Sequence, residues 1–423
     1  MARGRTGLGD AFGALAYPDF RRFALSLLLT SIGAQLVQFV IIYQIYVLTG
    51  SALQLGLTGF ARVVPHIILS LAGGVIADRA NRVRMIQIGQ VGNGLCVLAL
   101  AIVTYTGHVQ LWHLYAVTTI NAALTALTQP GRTALIPMFI PSDKLVTALA
   151  LNSTIQQSSQ IVGPALAGIL TGALSIHTSY GANAAIYFIA TIAMMRIQTS
   201  VTLPRVTERP WRSFVEGLAF VGRTPVIVSL LLMDLSAMVF GGYRVLLPIF
   251  ADRLGVGVVG LGWLSALTGV GSVLGAMFIM SRGNMRYKGL YTVFGILGYC
   301  FALALLPLSP WYWLAQVACV LLGATNSIQT VPRNTAILMA SPSALRGRVE
   351  AFRSMLAGGG PPLGFLLAGA VASAFGPVFA VVGGACACAV VVGLIPAFRR
   401  ELLDPELGQV AVDDLARPDR TPA

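Results

Sequence analysis

The sequence predicts an all-α membrane protein whose twelve transmembrane helices form two pseudo-symmetric six-helix bundles. Three observations carry that expectation: an apolar, charge-poor composition, cationic loops that alternate with uncharged ones, and a stretch that recurs in both halves. Of the 423 residues, 56% are hydrophobic and only 10% are charged. Soluble domains carry about 25% charged residues. No soluble interior of this size could keep so much apolar surface from water, whereas spanning helices require it.

Residues 1–20 are polar and Gly-rich and are expected to end in a short surface helix before Arg21-Arg22. The apolar run that follows is too long for a signal-peptide core and lacks a cleavage site, so it is expected to stay as the first span. Apolar runs of about 20 residues, the length that crosses a bilayer, then recur. They fall near 23–48, 53–77, 85–106, 112–136, 145–173, 180–203, 225–250, 258–281, 289–307, 311–337, 346–375 and 377–398.

The connections alternate in charge. One set holds Arg3, Arg5, Arg21 and Arg22, then Arg79, Arg82 and Arg84, then Lys144, and then Arg205, Arg209, Arg212 and Arg223. It continues with Arg282, Arg286 and Lys288, then Arg346 and Arg348, and ends with Arg399 and Arg400. The other set carries no Lys or Arg apart from Arg253 beside Asp252. Cytoplasmic loops concentrate Lys and Arg, so both termini are expected in the cytoplasm. The net charge of +13 then reads as a topology signal and an attraction to anionic lipids at the cytoplasmic face, not as a nucleic-acid surface.

Within 204–224, Trp211, Phe214, Val215 and Leu218 share one helical face, with Arg209, Arg212 and Glu216 opposite. That pattern predicts an amphipathic linker helix on the cytoplasmic surface, separating a bundle over 1–203 from one over 225–400. Residues 401–423 read as a disordered cytoplasmic tail. Gln129-Pro130-Gly131-Arg132-Thr133-Ala134-Leu135 is echoed by Val331-Pro332-Arg333-Asn334-Thr335-Ala336-Ile337. Parallel repeats of this kind are a transporter architecture, with the substrate site expected near mid-membrane.

Gly73–Arg84, GGVIADRANRVR, resembles the signature loop between the second and third helices of major facilitator superfamily transporters. Asn81 replaces an internal Gly there, and Asn is a residue that can also adopt the left-handed turn. Further matches are Phe20-Arg21-Arg22, Leu48-Thr49-Gly50-Ser51, Ala77-Asp78-Arg79, Arg244-Val245-Leu246-x-Pro248 with Ala251-Asp252, and Leu345-Arg346-Gly347-Arg348-Val349. Together these are similar to the drug and siderophore exporter branch of that superfamily.

The resemblance implies the major facilitator fold and a monomeric secondary transporter in a bacterial plasma membrane. It would export an amphipathic drug- or siderophore-like molecule by alternating access in exchange for protons. An importer or uniporter of the same fold, and a non-transporting membrane sensor or assembly protein, stay open as alternatives. The resemblance also makes Asp78 the acid of a conformational lock that caps the eleventh helix, with Arg79, Arg82, Arg132, Arg346 and Arg348 completing the network. The competing reading of Asp78 is a topology anchor alone. Gly163-Pro164-x-x-Ala167-Gly168 resembles the antiporter motif of the fifth helix, with Ala167 in place of one Gly and Ser159 in place of an upstream one.

The residues themselves add candidates. Asp234 is the acid deep inside an apolar run, roughly 14 Å from its start at 1.5 Å per residue. Intramembrane carboxylates face protein or water and carry function, so Asp234 is the proton-coupling candidate, set against a purely structural bond to a neighbouring helix. Arg62 and Arg244 lie inside the second and seventh spans, in their outer halves, where a cation needs a partner; an anionic substrate group is one, and snorkelling or a bond to Asp252 or to helix-end carbonyls is the competing reading. Polar side chains recur at helical spacing as Gln35 and Gln38, as Asn121, Thr125 and Gln129, as Asn152, Gln156 and Gln160, and as Asn326, Gln329 and Arg333. Such stripes line a wet cavity or tie helices together. Phe39, Tyr43, Tyr243 and Trp263 are candidate apolar contacts for cargo.

Other chemistry is disfavoured. The lysines are Lys144 and Lys288 alone, and no Gly-Lys-Ser/Thr phosphate loop occurs, so ATP is not the expected driver. Gly269-x-Gly271-x-x-x-Gly275 has the wrong spacing for a nucleotide loop and suits close helix packing. The five cysteines lie in apolar runs, and neither disulfide, metal nor cofactor is expected. No His/Asp/Ser constellation suggests an enzyme.

Overall fold

The structure, a computed structural model, describes residues 13–79, 81–197, 218–283, 287–342, 345–399 and 402; within these, the side chains of 70–79, 130, 133, 397 and 398 are not described. The linker at 204–217 and the tail beyond 402 lie outside those residues, while 218–223 are helical.

Among the described residues, twelve long helical elements follow one another. They are α1 (Pro18–Thr49), α2 (Ala52–Arg79), α3 (Arg82–Tyr105), α4 (Leu111–Phe139), α5 (Leu145–Ala173) and α6 (Ile176–Met195), then α7 (Pro225–Phe240), α8 (Gly257–Ser281), α9 (Lys288–Leu308), α10 (Tyr312–Met339), α11 (Arg346–Phe375) and α12 (Pro377–Phe398). Among the described residues, 9 helices are long and apolar enough to cross a membrane by length and composition alone, counting Pro225–Arg253 as one. The three that fall short are α4, α5 and α6. Two of them carry the Asn121 and Asn152 stripes, and the third carries Asn183, whose amide is spent on the Gly33 carbonyl at 2.8 Å.

Several boundaries depart from expectation for identifiable reasons. No separate surface helix precedes Arg21 among the described residues: a 3-10 turn spans Gly13–Ala16, and α1 starts at Pro18 and runs straight through both arginines. Proline is preorganised for the first helical position, and Arg22 pairs with Asp19 at 3.0 Å in that first turn. Asn81 is not left-handed. Its φ is −66°, and its side chain accepts from the amides of Val83 and Arg84 at 3.0 and 3.2 Å, capping α3. Asn at an N-cap satisfies donors that the helix leaves orphaned, so Asn81→Ala is expected to cost about 1 kcal/mol, read as a lower thermal midpoint in detergent. α6 begins at Ile176, ahead of the expected 180, because Ser175 caps it by accepting from Thr178 N.

The largest departure is in the seventh span. α7 stops at Phe240, a 3-10 turn occupies Gly242–Leu246, and a short helix resumes over Leu247–Arg253. Pro248, in the first turn of the resumed helix, has no amide to donate. A Cβ on Gly242 would collide with the Gly364 carbonyl oxygen. Only glycine admits the α11 backbone this close.

The chain divides into two compact units. The first comprises Met1–Gly50, Ala61–Thr207 and Val256–Ala266. In it α1 packs on α5 and α6, and α3 packs on α4 and α6. Buried polar ties hold these helices: Gln90 donates to Ser26 at 2.8 Å, and Gln44 links Thr104 (3.2 Å) to the Tyr180 hydroxyl (2.8 Å). The first turns of α8 belong here, with Gly262 on Gly168 of α5, where an added Cβ would sit 2.9 Å from the facing Cα.

The second unit comprises Ser51–Phe60, Glu208–Gly255 and Leu267–Ala423. Its packing repeats the first six helices on: α7 meets α11 and α12, and α9 meets α10 and α12. The first turns of α2 belong to it, with Gly56 against Gly369 of α11. Gly271 and Gly275 of α8 press on Val320 and Ala324 of α10, which is the small-residue packing read from the sequence. In a bilayer such close approach drives association, because lipid tails are as apolar as leucine.

Candidate functional site

The second unit concentrates the intramembrane charge. α7 brings Asp234 in from one end of its span, and α10 runs the opposite way and brings Arg333, which lies about 9 Å from the end of α10 at 1.5 Å per residue. They meet as an ion pair at 2.7 Å, with side chains 6% and 2% exposed. The Arg333 guanidinium also donates to Gln329 Oε1 at 2.9 Å, one turn back, and Gln329 in turn donates to Asn326 Oδ1 at 3.3 Å. Gly295 of α9 lets Gln329 approach, its notional Cβ lying 2.8 Å from Gln329 Cβ. Arg333 Nε remains buried without a hydrogen-bond partner among the described residues, as does Asn334 Oδ1. On α11, Arg353 forms a two-pronged pair with Glu350 and lies within electrostatic reach of Asp234. The chain of groups Asp234–Arg333–Gln329–Asn326 therefore runs from a buried carboxylate to an exposed amide.

Arg244 stands apart from that chain. It sits on the 3-10 turn, is exposed, and its guanidinium reaches Thr268 Oγ1 at 3.5 Å. Tyr243 beside it is buried, and Tyr299 of α9 donates to the Gly241 carbonyl at 3.3 Å, closing the break in the span from the inside.

The other sequence candidates are placed as follows. In the first unit, Gln35 is half-buried against Gly163, whose notional Cβ falls 2.5 Å from Gln35 Cβ; Pro164 and Gly168 follow on the same helix. Gln38, Arg62, Asn152 and Gln160 are half-buried, and Thr125 and Gln156 are exposed. Asn121 donates to Asn93 at 3.1 Å and Gln160 donates to Gln157 at 3.0 Å. Arg82 and Arg132 are half-buried. The side chains of Asp78 and Arg79 lie outside the described residues. In the second unit, Arg346 donates to the Ser341 carbonyl at 3.2 Å and Arg348 is half-buried.

Comparison with known proteins identifies the family and the fold. The sequence profile of a family described as transmembrane secretion effector, a branch of the major facilitator superfamily, matches residues 10–414. The chain belongs to that family. Among curated relatives of this major facilitator chain are enterobactin exporters EntS from Shigella boydii and from Escherichia coli O157:H7, each 23% identical over 362 residues, 86% of this chain and 87% of theirs. Solved structures with the same fold include the nucleoside transporter NupG, at TM-score 0.69 and 16% identity, covering 90% of this chain and 99% of that one. A bacterial homologue of the human lysosomal transporter Spinster matches at TM-score 0.68 and 16% identity, covering 97% and 99%. The D-xylose–proton symporter matches at 0.71 and 13%, covering 90% and 97%. The protein is thus a multi-pass membrane transporter of small molecules and not an enzyme.

Sequence reasoning placed Asp234, Arg244, Gln329 and Arg333 in spans but did not pair Asp234 with Arg333. The signal was available: Asp234 and Arg333 differ by only about 5 Å in depth at 1.5 Å per residue, on helices of opposite direction, and intramembrane charges pair with one another.

Proposed function

We propose that this major facilitator protein exports an amphipathic drug- or siderophore-like molecule across a bacterial inner membrane by alternating access, with protons moving inward in exchange. Both termini are cytoplasmic in this reading, because the cationic loops share one side. The export direction is supported by the naming of the curated relatives as enterobactin exporters and by the antiporter-like Gly163-Pro164 segment.

One observation carries the coupling: a membrane-buried carboxylate, Asp234, balanced by Arg333 at 2.7 Å. A proton on Asp234 cancels the ion pair and leaves Arg333 with the neutral Gln329 acceptor. Charge-assisted bonds are roughly twice as strong as neutral ones, so loading and unloading that proton shifts the balance between conformations whose free energies differ by a few kcal/mol. Proteoliposomes holding a fluorescent amphiphile that carries a carboxylate, with an imposed pH gradient, test this. Gradient-driven movement in the wild type and gradient-independent movement in Asp234→Asn are expected. Accumulation by the wild type regardless of the gradient removes the antiport reading and leaves a uniporter. An Asp234→Asn protein as gradient-dependent as the wild type moves the coupling to another residue.

A further inference from the structure

Arg244 is a cation inside a membrane span for which the described residues supply no counter-charge. Ion pairs among those residues join Arg22 to Asp19, Arg333 to Asp234 and Arg353 to Glu350. Arg244 instead has neutral neighbours: the Thr268 hydroxyl at 3.5 Å and the Tyr243 phenol. Burying an unpaired charge costs several kcal/mol, yet this side chain is exposed while the residues on both sides of it, Tyr243 and Val245, are buried. The side chain therefore stands on an open face of the span, where only a polar surrounding or an anion would match its charge.

Snorkelling does not account for this position. Long cationic side chains near helix ends reach outward to the interface. Arg244 is roughly 14 Å from the end of its span at 1.5 Å per residue. Its partner Thr268 lies near the middle of α8, Gly257–Ser281, and is itself buried. The head group is thus tethered at mid-span, facing away from the end. The broken backbone explains how it is held. The glycine pair Gly241-Gly242 admits α11 and Tyr299, and the 3-10 turn that follows aims Arg244 differently from an uninterrupted α-helix.

We propose that Arg244, flanked by Thr268 and Tyr243, is an anion subsite that takes a carboxylate, or an oxyanion of the same forked shape, on the transported amphiphile. The assignment rests on the reading of the chain as an amphiphile transporter and narrows its cargo to molecules carrying negative charge. Arginine suits the task, because its planar fork matches a carboxylate with two parallel bonds and stays charged at any working pH. Thr268 adds a hydroxyl that rotates to donate, and Tyr243 can add a second. Low-dielectric walls around a lone cation focus its field on whatever anion enters. Selectivity then follows, since a neutral congener gains nothing from the guanidinium while losing the same water.

The test uses full-length protein in nanodiscs and a matched pair of probes, pyrenebutyrate and pyrenebutanol, with binding followed by fluorescence anisotropy. The wild type is expected to bind the carboxylate about tenfold or more tightly than the alcohol, in line with the strength of a hydrogen bond to a charged group. Arg244→Gln is expected to erase that preference, Arg244→Lys to keep part of it, and Thr268→Val to weaken it severalfold. Rising salt should erode the preference in the wild type but not in Arg244→Gln; that wild-type salt series still decides the matter if the glutamine variant does not fold. Equal binding of the two probes by the wild type, binding of neither, or a carboxylate preference that survives in Arg244→Gln overturns the proposal. The transport reading fails separately: a wild type that moves no amphiphile in proteoliposomes yet keeps an Arg244-dependent carboxylate preference is a binding protein with the subsite intact.

Discussion

Arg333→Met is expected to destabilise the protein by about 3–5 kcal/mol, the usual consequence of stranding one member of a buried ion pair. The side chains are almost wholly enclosed, Arg333 at 2% and Asp234 at 6% exposure, so no water can replace the lost partner without reorganising the bundle. Asp234→Leu alone should do comparable damage, because it strands the cation beside Gln329, a neutral acceptor. The double variant Asp234→Leu/Arg333→Met removes both charges at similar volume and is expected to recover most of the loss, as replaced buried pairs commonly do. Thermal unfolding of the four proteins in one detergent gives the coupling energy directly. Residues in contact couple by about 0.5 kcal/mol or more, whereas distant sites simply add. Additive single substitutions would mean that the 2.7 Å pair is not maintained in the membrane protein, and the coupling role of Asp234 would lose its structural support. Recovered stability with lost gradient dependence is the joint outcome expected from the proposed coupling role of the pair.

That separation shows which features were legible in the sequence. The order of the spans follows from the apolar runs and the loop charges, although α4, α5 and α6 fall short as spans by length and composition alone. The repeat between Gln129–Leu135 and Val331–Ile337 anticipated that helix pairings recur six helices on, as α3 with α4 and α9 with α10 do. Asn81 shows where a local rule misled: the residue type suits both a left-handed turn and an N-cap, and the amides of Val83 and Arg84 needed an acceptor. The break in the seventh span was not read from the sequence, although Gly241-Gly242, Arg244 and Pro248 interrupt the apolar run there. The reason for the two glycines lies in their neighbours: Tyr299 of α9 crowds Gly241, and the α11 backbone at Gly364 crowds Gly242. The amide stripes were visible as stripes, but their partners were not. Asn121 bonds Asn93, and sequence spacing alone cannot tell such a tie from a cavity wall.

The glycine break also carries the second large effect. Gly242→Val is expected to cost about 3 kcal/mol or more, at or beyond the upper end of ordinary overpacking. Its Cβ would fall on the Gly364 carbonyl and 3.1 Å from Ala368 Cβ, both on α11. Carbonyl oxygens of a packed helix cannot rotate aside as a flexible side chain can, so α7 and α11 must separate. Gly364 makes the reciprocal contact, against the Met238 carbonyl and 3.0 Å from that of Val239, so the two helices interlock and relief at one point strains the other. Gly181 and Gly393 provide controls, since nothing lies within 4 Å of a Cβ at either. Alanine there should shift the midpoint only by the small conformational gain or loss of a helical Gly→Ala change, under about 1 kcal/mol. Separation of the helices would also move the 3-10 turn over Gly242–Leu246 and pull Arg244 from Thr268, already at the 3.5 Å limit of a hydrogen bond. Gly242→Val should therefore lose carboxylate preference along with stability, whereas Gly181→Ala keeps both. A Gly242→Val protein as stable as the Gly181→Ala control would show that α7 and α11 stand further apart in the membrane, and the backbone break would need another cause.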